Sequence, residues 1–174
     1  LAASLYYHQC LTTVNLSDVD LKFDPRHPKA PENVLWPEAL ETLAKYGLAN
    51  NFSVRSLDLS LNRLAEGADE RTVFKKADHR GIDALADVLR APDGSNIEYI
   101  NLSWCQLDST ALKQLVNKGL LDAKSNGKLS LVRLDLSNNC LDGRAAEALA
   151  NFFKAPYKGG GLAFMPPTQK KREG

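Results

Sequence analysis

LVRLDLSNNCL, residues 131–141, carries leucine at its first, fourth, sixth and eleventh places and asparagine at its ninth. The same arrangement recurs upstream as LTTVNLSDVDL (11–21), VRSLDLSLNRL (54–64) and IEYINLSWCQL (97–107). All sixteen anchor places are aliphatic, which is far beyond chance and establishes an internal repeat. Places 4 and 6 share strand parity, so Leu57 and Leu59, or Leu134 and Leu136, point to one side and into a core. Places 3, 5 and 7 then face solvent.

Each row is followed by a helical pattern. After Leu141, residues Ala145, Leu149, Ala150 and Phe153 fall at i, i+4, i+5 and i+8, one apolar helix face. The aligned residues are Ala111, Leu115 and Val116 in row three, with Gly119 and Leu120 closing the helix. Row two supplies Gly81, Leu85, Ala86 and Leu89, and row one Ala39, Leu43 and Ala44. The unit is strand, loop, helix and return.

The rows resemble leucine-rich repeats, LxxLxLxxN/CxL, and the strand–helix alternation resembles the ribonuclease-inhibitor-like subclass. The resemblance covers roughly residues 11–156. It implies an α/β solenoid, a horseshoe of about four full repeats with a parallel sheet on its concave side and helices on its convex side. It also implies that place 9 bonds neighbouring loop backbone, a role open to Asn62, Cys105 and Asn139; Val19 departs from it. Residues 1–156 would form the repeat domain. Residues 157–174 would form a degenerate half-repeat or cap, with Leu162 and Met165 at places 1 and 4 and Pro167 at place 6, followed by a basic tail. LAASL at the start resembles the helix end ALANFF, as though an earlier row preceded row one.

Row starts at 11, 54, 97 and 131 are separated by 43, 43 and 34 residues, against about 28 to 29 for the family unit. In rows one and two the excess lies between strand and helix. Two insertions of about thirteen residues therefore leave the same edge of adjacent rows. They carry Arg26 and Lys29 in the first and Arg71, Lys75 and Lys76 in the second, a locally basic rim.

The solvent-facing columns define what a partner would meet. Place 3 runs Thr13, Ser56, Tyr99, Arg133; place 5 runs Asn15, Asp58, Asn101, Asp135; place 7 is serine throughout. Bland readings of the Asn/Asp and Ser columns are solvation or bonding along the sheet. The functional reading is a contact face with Tyr99 and Arg133 as anchors beside Asp58 and Asp135. At place 8, Leu61 and Trp104 stand in adjacent rows at the strand exit, either as packing or as an apolar anchor.

Composition narrows the function classes. Lys plus Arg number 22 against 21 Asp plus Glu, so no overall field draws the chain to nucleic acid or a membrane. Three cysteines, Cys10, Cys105 and Cys140, lack paired spacing for disulfides or zinc and suit a reducing compartment, cytoplasmic or nuclear. Cys105 reads as a structural thiol. Histidines 8, 27 and 79 have no metal-binding spacing, and no nucleophile-elbow or phosphate-loop motif occurs. The expectation is a non-catalytic protein-interaction module with no metal and no cofactor. The alternative is an RNA or ribonucleoprotein component held through the basic insertions.

Overall fold

The computed structural model describes residues 1–18, 37–65 and 78–157. Within them, four short strands form one parallel sheet in the order β1-β2-β3-β4: β1 Thr13–Asn15, β2 Ser56–Asp58, β3 Tyr99–Asn101 and β4 Arg133–Asp135. The register follows the sequence rows place for place. Val14 pairs with Leu57, Leu57 with Ile100 and Ile100 with Leu134, all at place 4. Regular hydrogen bonds extend the ladder beyond the strands. In every pair of rows the place-6 amide donates to the place-5 carbonyl of the next row, as Leu59 does to Asn101 at 2.9 Å.

Helices cover the face that places 4 and 6 point toward. They are α1 (Ala2–Tyr7), α2 (Pro37–Leu43), α3 (Arg80–Leu89), α4 (Ser109–Gln114), α5 (Leu121–Ser125) and α6 (Gly143–Lys154). A wider π-helical turn continues α2 over Ala44–Leu48, and another joins α4 to α5 over Leu115–Leu120. Leu57, Leu59, Ile100 and Leu102 are buried without exposure between the sheet and these helices. An α/β architecture with a parallel four-stranded sheet fits the leucine-rich-repeat fold.

Two expected helix faces are shifted. In α6 the residues turned inward are Ala145, Ala148, Leu149 and Phe152, while Phe153 is 74% exposed. The spacing i, i+3, i+4, i+7 keeps one stripe along a helix of 3.6 residues per turn, whereas i+8 drifts off it. In α2, Ala39 is exposed and Leu40 takes the core position.

Glycine sets how closely neighbouring helices approach. A Cβ on Gly119 would lie 3.0 Å from the Ala86 Cα in α3, and one on Gly47 would lie 3.2 Å from the Ala2 Cα in α1. Both glycines sit eight residues after the aligned Ala39 and Ala111, and both lie in π-helical turns. Backbone meets backbone there, so the missing side chain is a packing requirement.

Capping differs between rows. Asp108 caps α4 by accepting from the Ala111 amide at 2.7 Å, and His79 Nε2 lies 3.2 Å from its other oxygen. Asp142 caps α6 by accepting from the Arg144 amide at 2.8 Å. Asp78, two residues before α3, accepts from both the amide and the side chain of Arg80. These carboxylates satisfy donors that the first helical turn leaves unpaired.

Candidate functional site

The outer face of the sheet repeats one local motif four times. At place 5 the side-chain oxygen of Asn15, Asp58, Asn101 or Asp135 accepts from both the amide and the hydroxyl of the serine two residues on. The amide distances lie between 2.9 and 3.0 Å, and the hydroxyl distances between 2.6 and 2.8 Å. The bonding runs within each row and not across the sheet, so of the two bland readings of these columns, solvation or bonding along the sheet, the second does not describe them. Extended strands are thereby turned into the loop by an Asx-type bond, the characteristic use of these short polar side chains. The Ser137 donors hold the Asp135 carboxyl below its ordinary pKa.

Place 8 has a backbone geometry that periodicity alone does not reveal. Asp18, Leu61, Trp104 and Asn138 all have positive φ, at 45°, 60°, 57° and 57°. Asp and Asn tolerate the left-handed region; a bulky side chain there costs about 1 to 2 kcal/mol. Rows one and four thus hold well-suited residues at this bend, and rows two and three hold strained ones. The ladder locks the bend, since the Leu61 amide donates to the Ser103 carbonyl at 3.0 Å and the Trp104 amide to the Ser137 carbonyl at 3.1 Å. Trp104 is 58% exposed and Leu61 47%. Two strained, solvent-facing apolar side chains therefore occupy neighbouring rows.

Tyr99 and Arg133 pair in register at place 3. The Arg133 guanidinium lies over the Tyr99 ring, 5.1 Å from its centroid. This contact orients a flexible cation on the exposed face and is worth about 0.5 to 1 kcal/mol at such a site. Asp58 and Asp135 flank Asn101 in the place-5 column. The sheet thus carries Tyr99, Arg133, Asp58 and Asp135 on one face, with Leu61 and Trp104 at its exit edge. Arg26, Lys29, Arg71, Lys75 and Lys76 lie outside the described residues.

Beneath the exit edge, place 9 ties the rows together. Asn139 donates to the carbonyls of Leu102 and Leu136 at 2.7 and 2.9 Å and accepts from the amides of Cys105 and Leu107, both at 3.0 Å. Asn62 donates to Leu16 and Leu59. Cys105 is wholly buried and its sulfur lies 3.1 Å from the Leu59 carbonyl. Burial pushes its thiol up to about 12, so it stays protonated and serves as a donor to that carbonyl. Cys10 and Cys140 are exposed.

The clearest feature that periodicity missed is an apolar groove at the row-four end. It encloses about 410 Å³ and is lined by Leu131, Leu134, Leu136, Leu149 and Phe152 among others. A signal for it exists in the sequence: row four is the last row with all four aliphatic anchors. Among the described residues no group of three His, Cys, Asp or Glu side chains gathers as a metal site would require, and no helix is long and apolar enough to cross a membrane.

The Leucine Rich repeat family model matches residues 50–65 and 128–150, the strand segment of row two and the strand-to-helix segment of row four. These matches support a leucine-rich repeat protein. Leucine-rich repeat domains generally mediate protein–protein interaction and are typically not catalytic. A search of curated proteins finds no match.

Proposed function

We propose that the chain is a non-catalytic protein-recognition module of the ribonuclease-inhibitor-like subclass. Its four rows form a short horseshoe solenoid that acts in the cytoplasm or nucleus. The partner binds across the sheet face and its exit edge, with Trp104 and Leu61 as apolar anchors and the stacked Tyr99–Arg133 pair as the polar one. The carrying observation is the strained, exposed pair at place 8. Strain is retained where the side chain has a use that a relaxed residue could not serve, and exposed tryptophan and arginine dominate interface energies. The repeated Asx bonds and the Asn139 clamp hold this surface in one shape before contact. A partner then meets ordered side chains and less entropy is lost on binding.

The test is affinity purification of the intact protein in parallel with a Tyr99, Trp104 and Arg133 triple-alanine variant of unchanged fold. Loss of the same partner from the variant is the expected result. Identical partners in both samples would refute the site. A steep log-linear fall in affinity with salt would instead mark a nucleic-acid partner held by the basic insertions, since an aromatic-anchored contact depends weakly on salt.

A further inference from the structure

Among the described residues, strand β4 is an open edge. The Arg133 amide donates to the Glu98 carbonyl and the Asp135 carbonyl accepts from the Leu102 amide, so these two residues turn their main chain toward β3. Leu134 between them turns its amide and carbonyl the other way. The Val132 carbonyl points outward too, as the Glu98 carbonyl at the same place of row three points to row four. The Leu136 amide is the counterpart of the Leu102 amide, and among the described residues it meets no carbonyl. Beside this edge lies the apolar groove, where Leu134 and Leu136 are only half-buried and Val132 is 84% exposed.

We infer that this edge pairs with β4 of a second copy of the chain, antiparallel about a two-fold axis through Leu134. In that register Leu134 faces Leu134, Arg133 faces Asp135 and Val132 faces Leu136, the last two pairs each formed twice. Hydrogen bonding fits it first. Leu134 exchanges both of its groups with its symmetry mate, and each Leu136 amide donates to the Val132 carbonyl opposite. A regular ladder would add a bond from the Val132 amide to the opposite Leu136 carbonyl. Both of those groups are already engaged within their own copy, the amide by the Glu98 carbonyl at 2.8 Å and the carbonyl by Asn139 Nδ2 at 2.9 Å. The pairing therefore uses the free groups of the edge and strands none.

Charge fits it as well. Arg133 and Asp135 form the non-hydrogen-bonded pairs, with Cα atoms about 4.5 Å apart, where side chains approach most closely. The Tyr99 ring holds the Arg133 guanidinium on this face. Ser137 occupies one carboxylate oxygen of Asp135, and the other has no bond among the described residues. The apolar side is equally self-complementary. Val132 shares the parity of Leu134 and Leu136 and lines the same groove. It covers Leu136 of the second copy, and the two grooves, each bordered by Phe152 and Phe153, join into one core. A head-to-tail contact of β4 on β1 lacks this match: it sets Arg133 and Asp135 against Thr13 and Asn15 and generates an open series of copies.

The experiment is sedimentation equilibrium of the intact chain over a range of concentrations, with no other protein present. The mass should climb from 19.1 kDa toward twice that value and stop there. Arg133→Asp sets like charges opposite each other twice, as does Asp135→Arg, and each variant should self-associate about tenfold or more weakly. Mixed in equal amounts, the two variants restore both opposite-charge pairs and should regain dimers. Asp135→Arg also removes the acceptor of Ser137; mixing does not return it, so recovery reports the pairing alone. A mass of 19.1 kDa at every concentration overturns the proposal, as does a mixture no better than its components. Masses rising beyond the dimer overturn it in favour of a head-to-tail contact. Amide exchange checks the register, because protection of Leu136 should rise with protein concentration. Protection independent of concentration overturns the pairing, since another part of the same chain then fills the groove. Neither result bears on the recognition face, whose partner is absent from the experiment.

Discussion

Replacing Trp104 by alanine and by glycine separates what its backbone costs from what its ring contributes. Trp104 is 58% exposed, so roughly two-fifths of a residue of about 250 Å² is covered, near 100 Å². At about 25 cal/mol per Å² both variants forfeit about 2.5 kcal/mol of burial. That loss is common to the two and cancels in their comparison. The remaining difference is set by φ at 57°. At an ordinary position glycine is less stable than alanine by about 0.5 to 1 kcal/mol; in the left-handed region alanine keeps a penalty of about 1 to 2 kcal/mol that glycine does not. The Trp104→Gly variant should therefore be the more stable by roughly 1 kcal/mol. With a urea slope of about 2 kcal/mol per M, the unfolding midpoints should separate by about 0.5 M. An alanine variant equal to or more stable than the glycine variant would refute a strained bend at place 8. The same proteins report on the anchor, because a loss near 3 kcal/mol with unchanged partner affinity would make Trp104 a packing residue.

Other expectations follow from the packing and the charges. Gly119→Val forces a side chain against the Ala86 backbone at 3.0 Å and should destabilise by about 1 to 3 kcal/mol, read from urea midpoints; a neutral effect would mean that α3 gives way easily. A thiol reagent applied to the native protein at neutral pH should modify Cys10 and Cys140 and leave Cys105, whose burial raises its pKa to about 12; mass spectrometry before and after unfolding tests this. Hydrogen bonds from the Arg144 and Ser109 side chains and the Arg144 amide hold the Asp142 carboxyl well below the usual range. Its folded pKa lies below its unfolded one, so its contribution is full at neutral pH and is lost as pH falls from about 4 through the folded value. Asp142→Asn keeps a capping oxygen but does not titrate, so its drop in stability between neutral and about pH 3 should be smaller than that of the unmodified chain. An equal drop would remove Asp142 from the acid response.

Much of this architecture is written in the spacing of aliphatic residues. Leu57, Ile100 and Leu134 had to align because strand parity and an eleven-residue row leave one register in which the place-4 and place-6 side chains all turn to the helix-covered side. The repeat also implied a bonding role for Asn62, Cys105 and Asn139, and the structure supplies their partners. Periodicity was weaker on the helices. Ala39 and Phe153 were assigned inward by alignment between rows, yet each helix turns its own best stripe to the sheet.

The order of rows and the burial of Cys105 follow from chain-local pattern: each depends on side-chain size and polarity at fixed intervals. Three features belong to the tertiary structure alone. Positive φ at Leu61 and Trp104 arises because the ladder fixes both flanks of the bend, and no local preference of leucine or tryptophan asks for it. The close approach at Gly119 depends on which helix lies opposite. The stacking of Arg133 on Tyr99 joins residues 34 positions apart, brought within reach by one parallel pairing. Sequence periodicity encodes which side of an element is buried; what meets that side, and at what strain, is decided only when the rows are stacked.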